Sequence, residues 1–63
     1  MEQKIRVLLA DDDSEFCARM AAALEKADDM ELVGMAEDGG KALAAVQELK
    51  PDLLIIDLVL PVM

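Results

Sequence analysis

The stretch "KIRVLLADDD", residues 4–13, decides how the rest of the chain is interpreted, because it joins an aliphatic run to three consecutive carboxylates. A nearly continuous aliphatic run is typical of a strand that is buried on both faces of a sheet. Like charges repel, and burying even one carboxylate is costly. Asp11, Asp12 and Asp13 at the end of such a strand therefore indicate that something offsets their repulsion.

The residues after the carboxylates predict a helix from about Ser14 to Ala27. Asp13 or Ser14 can cap its first turn, and a carboxylate there suits the positive end of the helix dipole. The apolar residues of this segment recur at helical spacing and predict one buried face. That face consists of Phe16, Cys17, Met20, Leu24 and Ala27.

Two more apolar segments predict strands, at residues 30–36 ("MELVGMA") and 53–58 ("LLIIDL"). A second helix from about Gly40 to Leu49 lies between them. It ends before Pro51, which disfavours helical geometry in the residue that precedes it. The buried side of this helix is predicted to carry Leu43, Val46 and Leu49.

Strands and helices therefore alternate as strand, helix, strand, helix, strand. This order predicts an α/β fold with a parallel sheet and right-handed crossovers. A chain of 63 residues forms at most one small domain, and there is no internal repeat or linker.

Composition narrows the classes of partner. The formal net charge is -8, from 14 acidic and 6 basic residues, which argues against binding of nucleic acid or an anionic membrane by this segment. The charge suits a cation or a basic partner, and a weaker alternative is that it only keeps the chain soluble. A single cysteine excludes an internal disulfide, and no apolar run approaches the roughly 20 residues that span a bilayer. A cytoplasmic protein is the expectation.

The predicted fold brings two acidic positions together. In parallel α/β sheets, ligands bind beyond the carboxyl ends of the strands. Asp11 and Asp12 follow the first strand, and Asp57 ends the third. If the second and third strands flank the first, these carboxylates form a negative pocket that suits Mg²⁺. One of the carboxylates could then act as a nucleophile towards a phosphoryl group.

The segments "VLLADDD", "DMELVGMAEDGGKAL" and "DLLIIDLVLPVM" resemble the receiver domain of two-component response regulators, with sporulation-type or DNA-binding regulators as the nearest likeness. The resemblance implies a flavodoxin-like (CheY-like) fold with strand order 2-1-3. It also implies a phosphoryl group received from a histidine kinase or phosphotransfer protein, and an output domain that the receiver controls.

Carried over position by position, the resemblance assigns Asp57 as the phosphoacceptor and as one Mg²⁺ ligand. Asp12 would ligate the metal directly, Asp11 mostly through a metal-bound water, and Val59 through its backbone carbonyl. Asp13 lies outside this set and is interpreted as a helix cap. The chain would assist its own phosphorylation and dephosphorylation without being a turnover enzyme.

The chain departs from the family in length. Receiver domains have five strands and five helices, so residues 1–63 are interpreted as the amino-terminal half of one. The hydroxyl residue and the lysine that the family places after its later strands are missing, and so is the Asp-Gly after the Pro-x-Met. An unpaired edge on the third strand would invite another strand, and we expect a homo-oligomer through that edge.

Two other functions stay open at this point. The chain could be an inactive half domain that acts only as an oligomerising or interaction unit. It could also be a haloacid-dehalogenase-like phosphohydrolase, whose Asp-x-Asp pattern Asp11 and Asp13 satisfy formally. A bland alternative is that the acidic residues form a solvated turn that caps a helix.

Overall fold

The computed structural model describes residues 3–56 and confirms the predicted alternation. The described bounds of α1 and α2 each differ by one residue from those predicted, those of β2 agree, and the last two residues of the predicted third strand lie outside the described range. None of the helices in residues 3–56 is long and apolar enough to cross a membrane. The elements are β1 (Ile5–Ala10), α1 (Ser14–Lys26), β2 (Met30–Ala36), α2 (Gly39–Leu49) and β3 (Leu53–Ile56).

The described strands form a parallel sheet in the order β2-β1-β3, which confirms the predicted order. The last residue of β1, Ala10, is in register with Ala36 at the end of β2 and with Ile56 at the end of β3. The connection from β1 to β2 leads to one edge of the described sheet, and the connection from β2 to β3 leads back past β1 to the other edge. Because such crossovers are right-handed, the two helices cover opposite faces of the sheet.

The core is centred on β1. Its residues Val7, Leu8, Leu9 and Ala10 are all 0% exposed, as the continuous aliphatic run predicts. Ala10 also forms a cluster with two other small buried residues, Ala36 of β2 and Ala42 of α2. Small side chains at this contact bring the first turn of α2 close to the carboxyl end of the sheet, where the candidate site lies.

The helices bury narrower faces than the sequence predicts. In α1, Cys17 and Leu24 are buried as expected, whereas Phe16 is exposed. In α2, Ala42 is buried and Leu43 is 62% exposed, so the prediction that Leu43 faces the core is wrong. Neighbouring residues on a helix are about 100° apart, so the rotation of α2 that packs Ala42 on the sheet turns Leu43 away from it.

Arg6 connects β1 to the end of α2 and to the start of β3. Its Nη1 donates hydrogen bonds to the carbonyl oxygens of Leu49 (2.6 Å) and Lys50 (3.0 Å). Lys50 has left-handed backbone geometry (φ 49°) and ends α2. This is expected, because Pro51 disfavours right-handed helical geometry in the residue before it. The backbone N–H of Asp52 donates a hydrogen bond to the carbonyl of Arg6 (2.8 Å), and the backbone N–H of Arg6 donates one to the carboxylate of Asp52 (2.9 Å).

Strand β3 is the most exposed strand of the described sheet. Within residues 3–56 it pairs with β1 alone. Leu53, Leu54 and Ile56 are 42%, 39% and 47% exposed, although all three are aliphatic. Apolar side chains are therefore accessible on this side of the sheet.

Candidate functional site

The turn after β1 holds Asp11 in a defined position. Its backbone N–H donates a hydrogen bond to the carbonyl of Ala36 (2.9 Å), which continues the pairing of β1 with β2 by one residue. The carboxylate Oδ1 of Asp11 accepts a hydrogen bond from the backbone N–H of Asp13 (2.9 Å). Asp11 is half-buried, whereas the neighbouring Asp12 is exposed.

Asp13 caps helix α1, which confirms the interpretation made from the sequence. Its Oδ1 accepts hydrogen bonds from the backbone N–H groups of Glu15 (3.0 Å) and Phe16 (3.2 Å). These bonds satisfy donors that a helix start leaves without partners. The capping role places Asp13 apart from the other two carboxylates of the triplet.

A cleft of about 440 Å³ opens at the carboxyl ends of β1 and β2. Its lining includes three carboxylates, Asp11, Asp12 and Glu37, and one ammonium group, that of Lys41. Apolar side chains such as Ala36 line the rest. The two acidic residues selected from the sequence therefore share a concave surface, in the location expected for a ligand in a parallel α/β sheet.

Lys41 was not identified from the sequence as part of the site. Its side chain forms an ion pair with Glu37 four residues earlier, and the hydrogen bond to Glu37 raises the pKa of Lys41. The backbone N–H of Lys41 donates to the side chain of Asp38 (2.7 Å), the cap of α2. The Glu-x-x-x-Lys spacing was the available signal, although Glu37 precedes α2 and meets Lys41 across the turn before the helix.

Cys17 closes one wall of the cleft. Its thiol donates a hydrogen bond to the backbone carbonyl of Asp11 (3.5 Å), and the residue is 8% exposed. Burial raises the pKa of the Cys17 thiol, and the negative charges of Asp11, Asp13 and Asp12 raise it further. The thiol is thus kept protonated, in agreement with the prediction that Cys17 is a core residue.

The donor set fits part of a Mg²⁺ site. The carboxylates of Asp11 and Asp12 are hard oxygen donors, the type that Mg²⁺ prefers. Within residues 3–56 there is no group of three His, Cys, Asp or Glu residues that could hold a metal. The other predicted ligands, Asp57 and the backbone carbonyl of Val59, lie outside the described residues. A metal bound by Asp11 and Asp12 would need further oxygen ligands, from water or from the rest of the chain.

The comparisons with known proteins agree with this geometry. A protein-glutamate methylesterase/protein-glutamine glutaminase from Caldanaerobacter subterraneus subsp. tengcongensis is 40% identical over 63 residues, which is 100% of this chain and 17% of that relative. No solved structure matches the chain. The family model described as the response regulator receiver domain matches residues 7–63. The chain therefore belongs to the response regulator receiver domain family of two-component systems.

Proposed function

We propose that the chain accepts a phosphoryl group on Asp57, from a histidine kinase or a phosphotransfer protein, in a reaction that requires Mg²⁺. The register of the sheet is the observation that supports this proposal most directly. Ala10 is in register with Ile56, and the next residues along the two strands are Asp11 and Asp57. Paired strands lie about 4.8 Å apart, so one small cation can reach carboxylates that follow a registered pair.

Charge provides the second argument. Three carboxylates in one crevice repel one another, and each resists losing its hydration. A divalent cation offsets this repulsion and neutralises charge on an incoming phosphoryl group when it is bound. Asp12, which is exposed, suits direct ligation, and Asp11, with one oxygen already accepting from Asp13, suits contact through a metal-bound water. Asp57 and the carbonyl of Val59 would complete the protein ligands.

The group transfer needs only a carboxylate nucleophile from this chain. A carboxylate oxygen of Asp57 attacks the phosphorus of a phosphohistidine, a new O–P bond forms, and the N–P bond breaks. The electron pair of that bond stays on the departing imidazole. The chain contains no histidine, so it is suited to the acceptor role and not to the donor role.

The phosphorylated chain would then act as a switch for an output unit, because an added phosphoryl group changes local charge and biases a conformational equilibrium. We propose that residues 1–63 are the amino-terminal part of a regulator of this kind. The chain spans 17% of the length of its methylesterase relative, so that protein has a large region beyond the shared segment. A DNA-binding output domain, expected from the sequence, stays a prediction. An enzymatic output domain of the methylesterase type is the alternative that this relative suggests.

Phosphorylation can be tested by intact-mass measurement after incubation with Mg²⁺ and acetyl phosphate. We expect a phosphoryl adduct on the wild-type chain, none on Asp57→Asn, and an adduct of normal yield on Asp28→Asn, which changes an exposed carboxylate in the turn before β2. Omission of Mg²⁺ should remove the wild-type adduct. An adduct that persists in Asp57→Asn and maps to Asp11 or Asp13 would contradict the proposal and favour the hydrolase chemistry.

The exposure of β3 supports a second candidate function, as an oligomerising or interaction unit. Accessible apolar side chains on a strand at the side of a sheet favour pairing with a strand of another molecule. We propose that the third strands of two copies pair. Sedimentation velocity should show a concentration-dependent dimer that Leu54→Lys weakens and Leu43→Lys, which changes an exposed leucine of α2, leaves intact. A monomer at high micromolar concentration would exclude this function.

A further inference from the structure

The cleft contains one feature that the proposed function does not use, the ammonium group of Lys41. Among the described residues that line the cleft, Lys41 is the only cation, and three carboxylates line the same cleft. We propose that Lys41 is an electrostatic positioning residue that weakens the binding of the divalent cation and assists the approach of an anionic phosphodonor. This inference rests on the proposed function and adds a residue to its site.

Two sets of contacts position Lys41, one at its backbone and one at its ammonium group. Its backbone is held in the first turn of α2, where its N–H donates to Asp38 Oδ1 (2.7 Å) and the N–H of Ala42 donates to the carbonyl of Asp38 (2.9 Å). Its ammonium group is held by the carboxylate of Glu37, the residue that follows β2. The backbone of Lys41 is therefore held beside the cleft, and its ammonium group pairs with a carboxylate that lines the same cleft.

The sign of the effect follows from counting the charged groups that line the cleft. Asp11, Asp12 and Glu37 contribute three negative charges and Lys41 one positive charge. Removal of the ammonium charge leaves a more negative surface, which attracts Mg²⁺ more strongly and repels a phosphodonor anion more strongly. The two effects have opposite signs, and a general loss of structure would not produce both.

A purely structural role for the ion pair would have little consequence. The side chains of Lys41 and Glu37 are 62% and 68% exposed. Exposed ion pairs contribute little to folding because water and salt screen them. A variant that lacks the charge should therefore fold normally, and its metal affinity can be measured.

The first measurement is a calorimetric titration of the 63-residue chain with Mg²⁺ at low ionic strength, without a phosphodonor. We expect Lys41→Gln to bind Mg²⁺ about two- to fivefold more tightly than the wild type, as suits one charge acting across a hydrated cleft. Lys41→Arg should restore wild-type affinity, and added salt should reduce the difference. Lys26→Gln removes an equally charged side chain at the far end of α1 and should have no effect.

The second measurement is the rate constant for phosphorylation by acetyl phosphate at saturating Mg²⁺. It should fall about two- to fivefold in Lys41→Gln and recover in Lys41→Arg. Glu37→Gln removes a negative charge from the same ion pair, so it should weaken Mg²⁺ binding, the opposite of the Lys41→Gln effect.

Two sets of variants separate the two proposals. Wild-type Mg²⁺ affinity and a wild-type phosphorylation rate in Lys41→Gln would overturn the role of Lys41 and leave the proposed function intact. Mg²⁺ binding that Asp11→Asn and Asp12→Asn both leave unchanged would overturn the metal site itself. The role of Lys41 would then fail with it.

Discussion

Strands β1 and β3 have almost the same chemistry and very different surroundings. Both consist mainly of aliphatic residues, and they pair with each other in parallel. The residues of β1 from Val7 to Ala10 are 0% exposed, whereas Leu53, Leu54 and Ile56 of β3 are 39–47% exposed. The comparison shows that the position of a strand in the sheet determines its burial more than its composition does.

The comparison matters for function because the two strands lead to different parts of the proposed site. Asp11 and Asp12 follow the buried strand, and Asp57 follows the exposed strand. Burial on both faces holds a backbone more firmly than pairing along one edge. We therefore expect the position of Asp11 to depend on core packing, and the position of Asp57 to depend more on whatever contacts β3.

The largest difference between the strands should come from truncating one leucine in each. Leu8→Ala removes a fully buried side chain from β1 and should lower the free energy of unfolding by about 2–5 kcal/mol. Leu54→Ala in β3 should cost about 1 kcal/mol, because that side chain is already partly hydrated. Urea unfolding followed by far-ultraviolet circular dichroism measures both, since the chain has no Trp or Tyr.

A small domain has little stability to lose, so Leu8→Ala could leave no folded chain to titrate. Leu8→Val removes less of the side chain and should cost about 1 kcal/mol, which keeps the comparison measurable. Equal losses at Leu8 and Leu54 would show that β3 is as well packed as β1, contrary to the structure.

The next effect concerns the side-chain hydrogen bonds that join Arg6 of β1 to the end of α2. Arg6→Gln removes the hydrogen bonds from Arg6 to the carbonyls of Leu49 and Lys50 and should cost about 1–2 kcal/mol of unfolding free energy. Arg19→Gln is the matched control, because within residues 3–56 Arg19 forms an exposed ion pair with Glu15 alone, so its loss should cost less than about 0.5 kcal/mol. Similar losses in the two variants would indicate that Arg6 does not stabilise the end of α2.

A smaller effect tests how tightly β2 packs against α2. A Cβ at Gly34 would lie 2.8 Å from Leu49 Cδ1 and 3.2 Å from Leu8 Cδ1, so Gly34→Ala should destabilise the fold by about 1 kcal/mol. Gly40→Ala, at an exposed position inside α2, should instead stabilise by up to about 1 kcal/mol. The same urea titrations measure both changes, and a neutral Gly34→Ala would mean that the leucines move aside freely.

The smallest effect is a pH dependence at Cys17, which contacts the end of β1. Its pKa is raised in the folded chain, first by burial and then by Asp11, Asp13 and Asp12. The folded state thus retains the thiol proton to higher pH than the unfolded state, so stability is lost as pH rises past the ordinary thiol value of 9.0. Relative to Cys17→Ala, wild-type unfolding free energy should fall over this range, and parallel curves would contradict the prediction.

Local pattern was sufficient for much of the fold and for the shared location of two acidic residues, Asp11 and Asp12. The continuous aliphatic run predicted the buried β1, and the alternation of segments predicted a parallel sheet. The division of the acidic triplet was also predictable, because an Asp before a helix start suits a cap and an Asp after a buried strand suits the ligand edge. The structure confirms the cap at Asp13 and places Asp11 and Asp12 beside one cleft.

Contacts between distant segments were not predictable in the same way. Periodicity marks Leu43 as apolar but cannot set the rotation of α2, which depends on Ala10, Ala36 and Ala42 packing together. Nothing in the local pattern around Arg6 indicates that it reaches carbonyls more than 40 residues away.

Element type and order therefore follow from short-range chemistry, since propensity, capping and hydrophobic period act within a few residues. The burial of a residue and the identity of its neighbours depend on which surfaces of distant segments pack together. Two equally aliphatic strands differ in exposure because one lies between two strands and two helices and the other lies at the side of the described sheet. Lys41 joins Asp11 and Asp12 in one cleft for the same reason, because the parallel sheet brings the ends of β1 and β2 together.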